Sequence, residues 1–411
     1  MILACVCAAG FSRQGSAVAT LSIFVEPMTG EFGWSRTGIS AAVSIGGVLG
    51  ALVSPTIGTF LDRNGARAVL VFAVLATGIP VLMLSFTHSL AYFYLFYCTA
   101  RMSFAGPYDL GIYGSIVNWF VRGRAFVTAV ATLVQMAGLV AMPLIAHFAM
   151  QGGSWRSAWL AVGATVLVVG FVPTWLLLVR RPEDLGQRPD GEPAPPRAAP
   201  HAGAAGPTHA SEEPAYTRRQ ALASPAFWLL SLYTLLVYPV QSGISLHQAP
   251  LLIERGLDPA VAAAAVSTFA ALSAVSGFAY GFWPRRVPLR FALALVGLSL
   301  AVSSVLMNNV HAPAAAYLAA ALFGLGIGGL LTMLPIAWAE YFGRRSYGAI
   351  RGVALAVQVV AQAAGPVLSG VLRDATGDYR LSLGTFTVLA FAGTAAALFA
   401  TPPKNGVRSD F

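Results

Sequence analysis

Three full charges interrupt otherwise apolar stretches of this chain: Arg13, and the pair Arg101 and Asp109 within "ARMSFAGPYDLG". A charge among apolar side chains is costly unless it is paired or meets a ligand, so these residues point to ion pairing, anion binding or proton transfer. Two glutamines, Gln135 and Gln358, lie in similar surroundings and could hydrogen-bond a ligand or another helix. His247, with an ordinary pKa of about 6.5, could exchange a proton near neutral pH or simply end a helix. Cys5, Cys7 and Cys98 fall in apolar runs and read as small core residues rather than a disulfide or metal set.

The elements that position these residues are membrane helices. The chain of 411 residues is 57% hydrophobic and 10% charged, against about 25% charged in a soluble domain. Apolar runs long enough to cross a bilayer recur from the first residues to about Thr401. The initial "MILACVCAAGFSRQGSAVA" lacks a basic leader and contains Arg13, so it reads as a retained first crossing. Runs between loop signals predict twelve helices, near 3–27, 36–58, 67–87, 90–117, 124–148, 155–179, 226–247, 259–282, 289–309, 313–339, 351–372 and 380–401. The expected fold class is an all-α membrane protein of twelve transmembrane helices. Polar, Pro- and Ala-rich chain separates the sixth from the seventh. It divides the protein into a six-helix half (1–180), a disordered linker (181–224) and a second six-helix half (225–411).

Of the 25 Lys and Arg, eighteen fall in gaps after even-numbered helices or in the C-terminal tail. Five lie in the other gaps, counting those at helix ends with the gaps, which leaves only Arg13 and Arg101 in the interior of predicted crossings. This bias puts both termini and the linker in the cytoplasm. The net charge of +9 therefore reflects topology; no basic patch with interleaved aromatics marks a nucleic-acid surface. The halves repeat at an offset of about 223 residues, "EFGWSRTGISAAVS" (31–44) against "ERGLDPAVAAAAVS" (254–267), with Gln135 on Gln358 and Pro143 on Pro366. Repeats of this kind build secondary transporters, with the substrate site between the halves at mid-membrane. No P-loop and no cluster with metal-ligand spacing occurs, so no enzymatic reaction, cofactor or metal is expected.

"GTFLDRNGAR" (58–67) resembles the signature of the major facilitator superfamily between helices 2 and 3, with Gly58, Asp62, Arg63, Gly65 and Arg67 in place. "FGWSRTGIS", "NWFVRGRAF", "HQAPLLIERGLDPAVA" and "EYFGRRSYGAIRG" resemble junctions of its bacterial monocarboxylate-transporter-like branch. "RRPEDLGQRPDG" and "ALASPAFWLL" resemble the segments flanking that branch's central loop. The resemblance covers essentially the whole chain. It implies the two-halved major facilitator fold, as a monomer in the bacterial inner membrane. It also implies secondary transport of a small organic anion, a mono- or dicarboxylate, by alternating access coupled to protons or a counter-anion. The 58–67 motif becomes a gate, and Arg101 resembles the cavity arginine of many superfamily members. An exporter of amphipathic or neutral compounds is the alternative, and a transporter-like sensor without net flux a remote one.

Depth relates the charges. At 1.5 Å per residue, Arg13 lies roughly 15 Å above the cytoplasmic surface on an ascending helix. Asp109 lies at a similar depth on a descending one, and Arg101 roughly 12 Å further from that side. The spacing therefore predicts an Arg13–Asp109 pair, structural or proton-switched. The branch's helix 8 arginine and the helix 11 lysine of related oxalate/formate exchangers have no counterpart in 261–282 or 352–371. Any cationic ligand group is thus expected from the N-terminal half. Asp62, at a helix end, could pair with arginines or face the N-terminus of an adjacent helix.

Overall fold

The computed structural model describes residues 1–191, 214–284 and 286–403, and these contain helices but no strand. Crossing 1 comprises α1 (Ile2–Arg13) and α2 (Val18–Phe32), joined through a 3-10 turn at Gln14–Ser16. Crossings 2 and 3 are α3 (Arg36–Asn64) and α4 (Ala66–Met83). Crossing 4 is split into α5 (Leu90–Ala105) and α6 (Pro107–Trp119). Crossing 5 is α7 (Arg124–Gln151); crossing 6 is α8 (Trp155–Thr165), a π-helical segment and α9 (Val172–Leu176). A short α10 (Arg218–Ala223) leads into the second half. Crossings 7 to 12 are α11 (Pro225–Glu254), α12 (Pro259–Tyr280), α13 (Leu289–Asn308), α14 (Pro313–Phe342), α15 (Tyr347–Thr376) and α16 (Arg380–Phe399).

Among the described residues, eleven crossings are long and apolar enough to span a bilayer as continuous segments. Crossing 4 escapes that test because Pro107 has no N–H for the carbonyl one turn back, and the helix restarts after Gly106. Its counterpart in the repeat, α14, runs unbroken through Gly328. The break in crossing 1 faces the one in crossing 4. Thr20 Oγ1 donates to the Gln14 carbonyl at 2.7 Å, Ser16 Oγ to the Ala100 carbonyl at 3.2 Å, and Tyr97 Oη to the Ser16 carbonyl at 3.4 Å. Side chains thus satisfy backbone groups that a bilayer could not hydrogen-bond, which is what lets the helices break here.

The two halves meet where α3 packs on α15 and where α7 packs on α12 and α14. The internal repeat maps α3 onto α12 and α7 onto α15, so the two seams are related copies of one interface. Near the end of the bundle that carries Asp62 the first seam is closed backbone to backbone. A Cβ on Gly58 would overlap the Gly348 carbonyl, and one on Gly348 would overlap that of Gly58. Towards the opposite end the same helices diverge and leave Ser40, Ser44, Val48, Gln362 and Val367 exposed.

Helix 11 begins earlier than the predicted limit of 351: α15 starts at Tyr347, which carries Arg351 into the helix and into the bundle. Of the predicted linker, residues 192–213 lie outside those described. Its flanks carry 3-10 turns at Pro182–Leu185 and Pro189–Gly191, as well as α10. Both turns are anchored at the closed end. Glu183 pairs with Arg344 at 2.8 Å, and the Asp190 carboxylate accepts the Arg122 N–H at 2.8 Å.

Replacing Gly58 with alanine should wedge the seam apart, since the methyl has only the Gly348 backbone to move into. In a variant with the three cysteines replaced, a reporter cysteine at Leu355 should label faster with a maleimide when Gly58→Ala is added. Unchanged labelling would show that the seam is not what closes this end.

Candidate functional site

A cavity of about 530 Å³ lies between the halves, within the range of small-molecule sites. Its walls are mostly aliphatic, including Leu21, Val25, Val43, Leu246 and Val359, with serines and Gln362 towards the open end and the two arginines at the inner end. There Arg13, Arg101 and Phe104 come from crossings 1 and 4, and Gln358 from crossing 11.

The helix breaks set up this cluster. Arg13 is the last residue of α1, and its Nε donates to the Phe104 carbonyl at 3.1 Å, in the turn that Pro107 opens. Its Nη1 donates to Gln135 Oε1 at 3.1 Å. Arg101 lies one turn before Phe104 on α5 and its Nε is buried without a hydrogen-bond partner. Both guanidinium carbons lie 4.3 Å from the centroid of the Phe104 ring. One aromatic ring therefore carries two cations against its π-system. Among the described residues, no carboxylate pairs with either of them.

Asp109 does not pair with Arg13. Its partner is Arg351, whose Nη2 donates to Asp109 Oδ1 at 3.1 Å and to Gln358 Oε1 at 2.7 Å. Arg351 is 1% exposed and Asp109 5%, so the pair is buried beneath the cavity and bridges the two halves. The depth match of Arg13 and Asp109 was a necessary condition only. Arg13 points along the cavity floor to Phe104 and Gln135, whereas Arg351, one turn into α15, reaches Asp109 from the other half. Arg351 is a buried cation from the C-terminal half that does not line the cavity; the two arginines that do, Arg13 and Arg101, come from the N-terminal half. The apolar pattern puts Arg351 at the very start of helix 11, at the cytoplasmic edge, because the continuous apolar run follows it. A signal was present: Arg351 and Gln358 are seven residues apart, two helical turns on one face. Phe104 was likewise overlooked, although it lies three residues from Arg101 on the same helical face.

The glutamines occupy equivalent repeat positions and do equivalent things with different partners. Gln135 accepts from Arg13, and Gln358 from Arg351. His247 is not on the cavity. Its Nε2 donates to the Pro366 carbonyl at 3.3 Å, and its Nδ1 lies 3.1 Å from Tyr379 Oη, tying crossing 7 to crossing 11 and the loop after it.

In the 58–67 motif, Asp62 takes the helix N-terminus rather than an arginine. Its two carboxylate oxygens accept the Gly348 and Ala349 N–H groups at 2.8 Å each, in the first turn of α15. A helix N-terminus offers unpaired N–H groups and a positive dipole end, so the carboxylate caps α15 from the opposite half. The Asp62 carbonyl accepts from Arg181 at 2.9 Å, and the Arg63 carbonyl from Arg180 at 2.6 Å. Arg67 donates to the Trp175 carbonyl at 2.6 Å. Gly65 ends α3 with φ of 85°, a conformation that favours glycine.

Twelve crossings in two repeated halves, around a central cavity with charged residues at its inner end, define a membrane carrier. The chain belongs to the Major Facilitator Superfamily, whose family model matches residues 2–366. It is 28% identical over 371 residues to the membrane sensor protein UhpC of Salmonella typhimurium, covering 85% of this chain and 78% of that protein. It is 26% identical over 343 residues to mouse monocarboxylate transporter 11, covering 80% of this chain and 71% of the relative. A solved bacterial homologue of the iron transporter ferroportin in an outward-facing state superposes with a TM-score of 0.73 at 16% identity, over 97% of this chain and 99% of that one. The protein is a multi-pass membrane transporter and not an enzyme.

Removing one member of a buried ion pair leaves the other charge unpaired, at a cost of about 3–5 kcal/mol. Asp109→Asn or Arg351→Gln alone should therefore lower the thermal stability of the purified protein in detergent, and the double variant should recover part of the loss. A double-mutant cycle between positions 109 and 13 should show much weaker coupling. Coupling concentrated between 109 and 13 would reverse the assignment.

Proposed function

We propose that the protein is a secondary active transporter that moves a small organic anion, a carboxylate, across a bacterial inner membrane. Both termini face the cytoplasm and the carrier acts as a monomer, alternating between states open to either side. The observation that carries the reading is the pair of guanidinium groups on Phe104, within a cavity and without a carboxylate partner among the described residues. Two cations in a low-dielectric pocket repel each other, and a bound anion removes both the repulsion and part of the desolvation cost. Aliphatic walls suit the hydrocarbon body of such a substrate.

Asp62 and its cap on α15 hold the cytoplasmic end closed while the cavity faces outward. Opening that end separates the Asp62 carboxylate from the Gly348 and Ala349 N–H groups, and the Gly58–Gly348 contact with it. Gln358 connects the cavity wall to Arg351 and hence to the same helix turn, so occupancy of the cavity bears directly on the closed end. Transport is coupled to protons or to a counter-anion.

The name of the 28% relative favours a second reading, a sensor that binds its ligand without moving it. Flux separates the two. Reconstituted protein should take up radiolabelled carboxylates from a panel of short-chain acids, with and without an imposed pH gradient. A hydrogen bond to a charged group contributes about 1.5–3 kcal/mol, so Arg101→Ala should reduce uptake by about ten- to a hundred-fold while inserting normally. Binding without flux would support the sensor. Efflux of a neutral compound that ignores Arg13 and Arg101 would support the exporter.

A further inference from the structure

The arrangement of nitrogens around Phe104 bears on how many acidic groups the substrate carries. Arg13 has already committed Nε to the Phe104 carbonyl and Nη1 to Gln135, at 3.1 Å each. That takes the side-on fork through Nε away from Arg13 and leaves it one N–H on Nη1 and two on Nη2 for an anionic group. Arg101 is the reverse. Among the described residues its guanidinium has no hydrogen bond, and its buried Nε is unpartnered. It can engage one carboxylate through two parallel N–H groups.

The charge inventory points the same way. Four formal charges lie at the inner end of the cavity or beneath it: Arg13, Arg101, Asp109 and Arg351. Arg351 and Asp109 neutralise each other at 3.1 Å. Arg13 and Arg101 remain, a charge of plus two at the inner end of the cavity. A monoanion would leave one of them uncompensated when the cavity closes over its ligand, whereas a dianion leaves neither.

We infer that the cavity takes a dicarboxylate, one carboxylate on the Arg101 fork and the other on Arg13 Nη2, and that the protein works as an exchanger. The inference rests on the carboxylate reading above and narrows it. Exchange follows from the cost of closure. An empty carrier must pass through an occluded state with two unpaired guanidinium groups on one ring, out of reach of water. A loaded carrier passes through the same state neutralised. Reorientation is therefore fast only when loaded, and one dianion leaves as another enters. A phosphate monoester carries the same charge on one compact group, and the test below distinguishes it from two separated carboxylates.

The test compares α,ω-dicarboxylates from malonate to adipate with the monocarboxylates of the same chain length, and with a phosphate monoester. Proteoliposomes are either empty or preloaded with the unlabelled compound. At least one dicarboxylate should enter preloaded vesicles ten-fold or more faster than empty ones, and faster than its monocarboxylate counterpart. Arg13→Gln should erase that preference, lowering dicarboxylate uptake ten-fold or more and lowering it further than monocarboxylate uptake. Thermal stabilisation of the detergent-purified protein by the same compounds reads binding independently of flux, and should show the same order and the same loss in Arg13→Gln. Equal handling of mono- and dicarboxylates, with uptake still dependent on Arg101, would overturn the dicarboxylate inference and leave the carboxylate reading standing. So would preference for the phosphate monoester. Net uptake into empty vesicles as fast as exchange would overturn the exchanger. Neither binding nor flux of any carboxylate would overturn both the inference and the reading beneath it.

Discussion

A guanidinium group inside a bilayer needs a partner, and the rest of this structure is arranged around the four charges at and beneath the inner end of the cavity. Arg351 and Asp109 meet across the seam between the halves. Arg13 is held by a carbonyl and an amide, and Arg101 is left facing the cavity beside the ring they share. Those contacts require two broken helices. An unbroken crossing 4 would keep the Phe104 carbonyl within its own helical ladder, and Arg13 would lose the acceptor that fixes its direction. Glycine and proline at 106 and 107 thus shape the site without touching a ligand.

The closed end rests on a different contact of the same kind. Asp62 satisfies two N–H groups at the start of α15, so the end of one half completes the helix of the other. Glycine at 58 and 348 lets the two backbones approach closely enough for that cap to form. The cap, the buried ion pair and Gln358 then follow one another along α15, at residues 348–349, 351 and 358. One rigid helix carries contacts to the closed end, to the N-terminal half and to the cavity. That is a physical basis for linking occupancy with access, because α15 cannot tilt without disturbing all three.

Two positions show how the repeat was used and then departed from. Gln135 and Gln358 fall at the same point in each half, and each accepts a hydrogen bond from an arginine. The arginines are unrelated by the repeat: Arg13 comes from crossing 1, while Arg351 lies on the same helix as its glutamine. The breaks are also one-sided, since α14 continues through Gly328, which is followed by Gly329 where the first half has Pro107. A symmetric scaffold therefore carries an asymmetric charge distribution, with the cavity-lining arginines in the first half and the pair's cation in the second.

The amino-acid order alone determined the number of crossings, the two-half repeat, and the candidacy of Arg13, Arg101, Asp109 and both glutamines. Hydrophobic length and periodicity are local properties that a bilayer enforces directly. The sequence also named helix capping as one of two roles open to Asp62. Only the tertiary structure decided which charges meet. Arg13 and Asp109 share a depth, but depth is one coordinate, and pairing also depends on rotation about each helix axis and on which half supplies the facing helix. Arg351 looked like a cation at the cytoplasmic edge because the continuous apolar run starts after it. It became a buried partner because α15 begins a turn earlier, over the Asp62 cap. That choice is made by contacts 286 and 242 residues apart in the chain, between Asp62 and Gly348 and between Asp109 and Arg351. No local pattern records separations of that size.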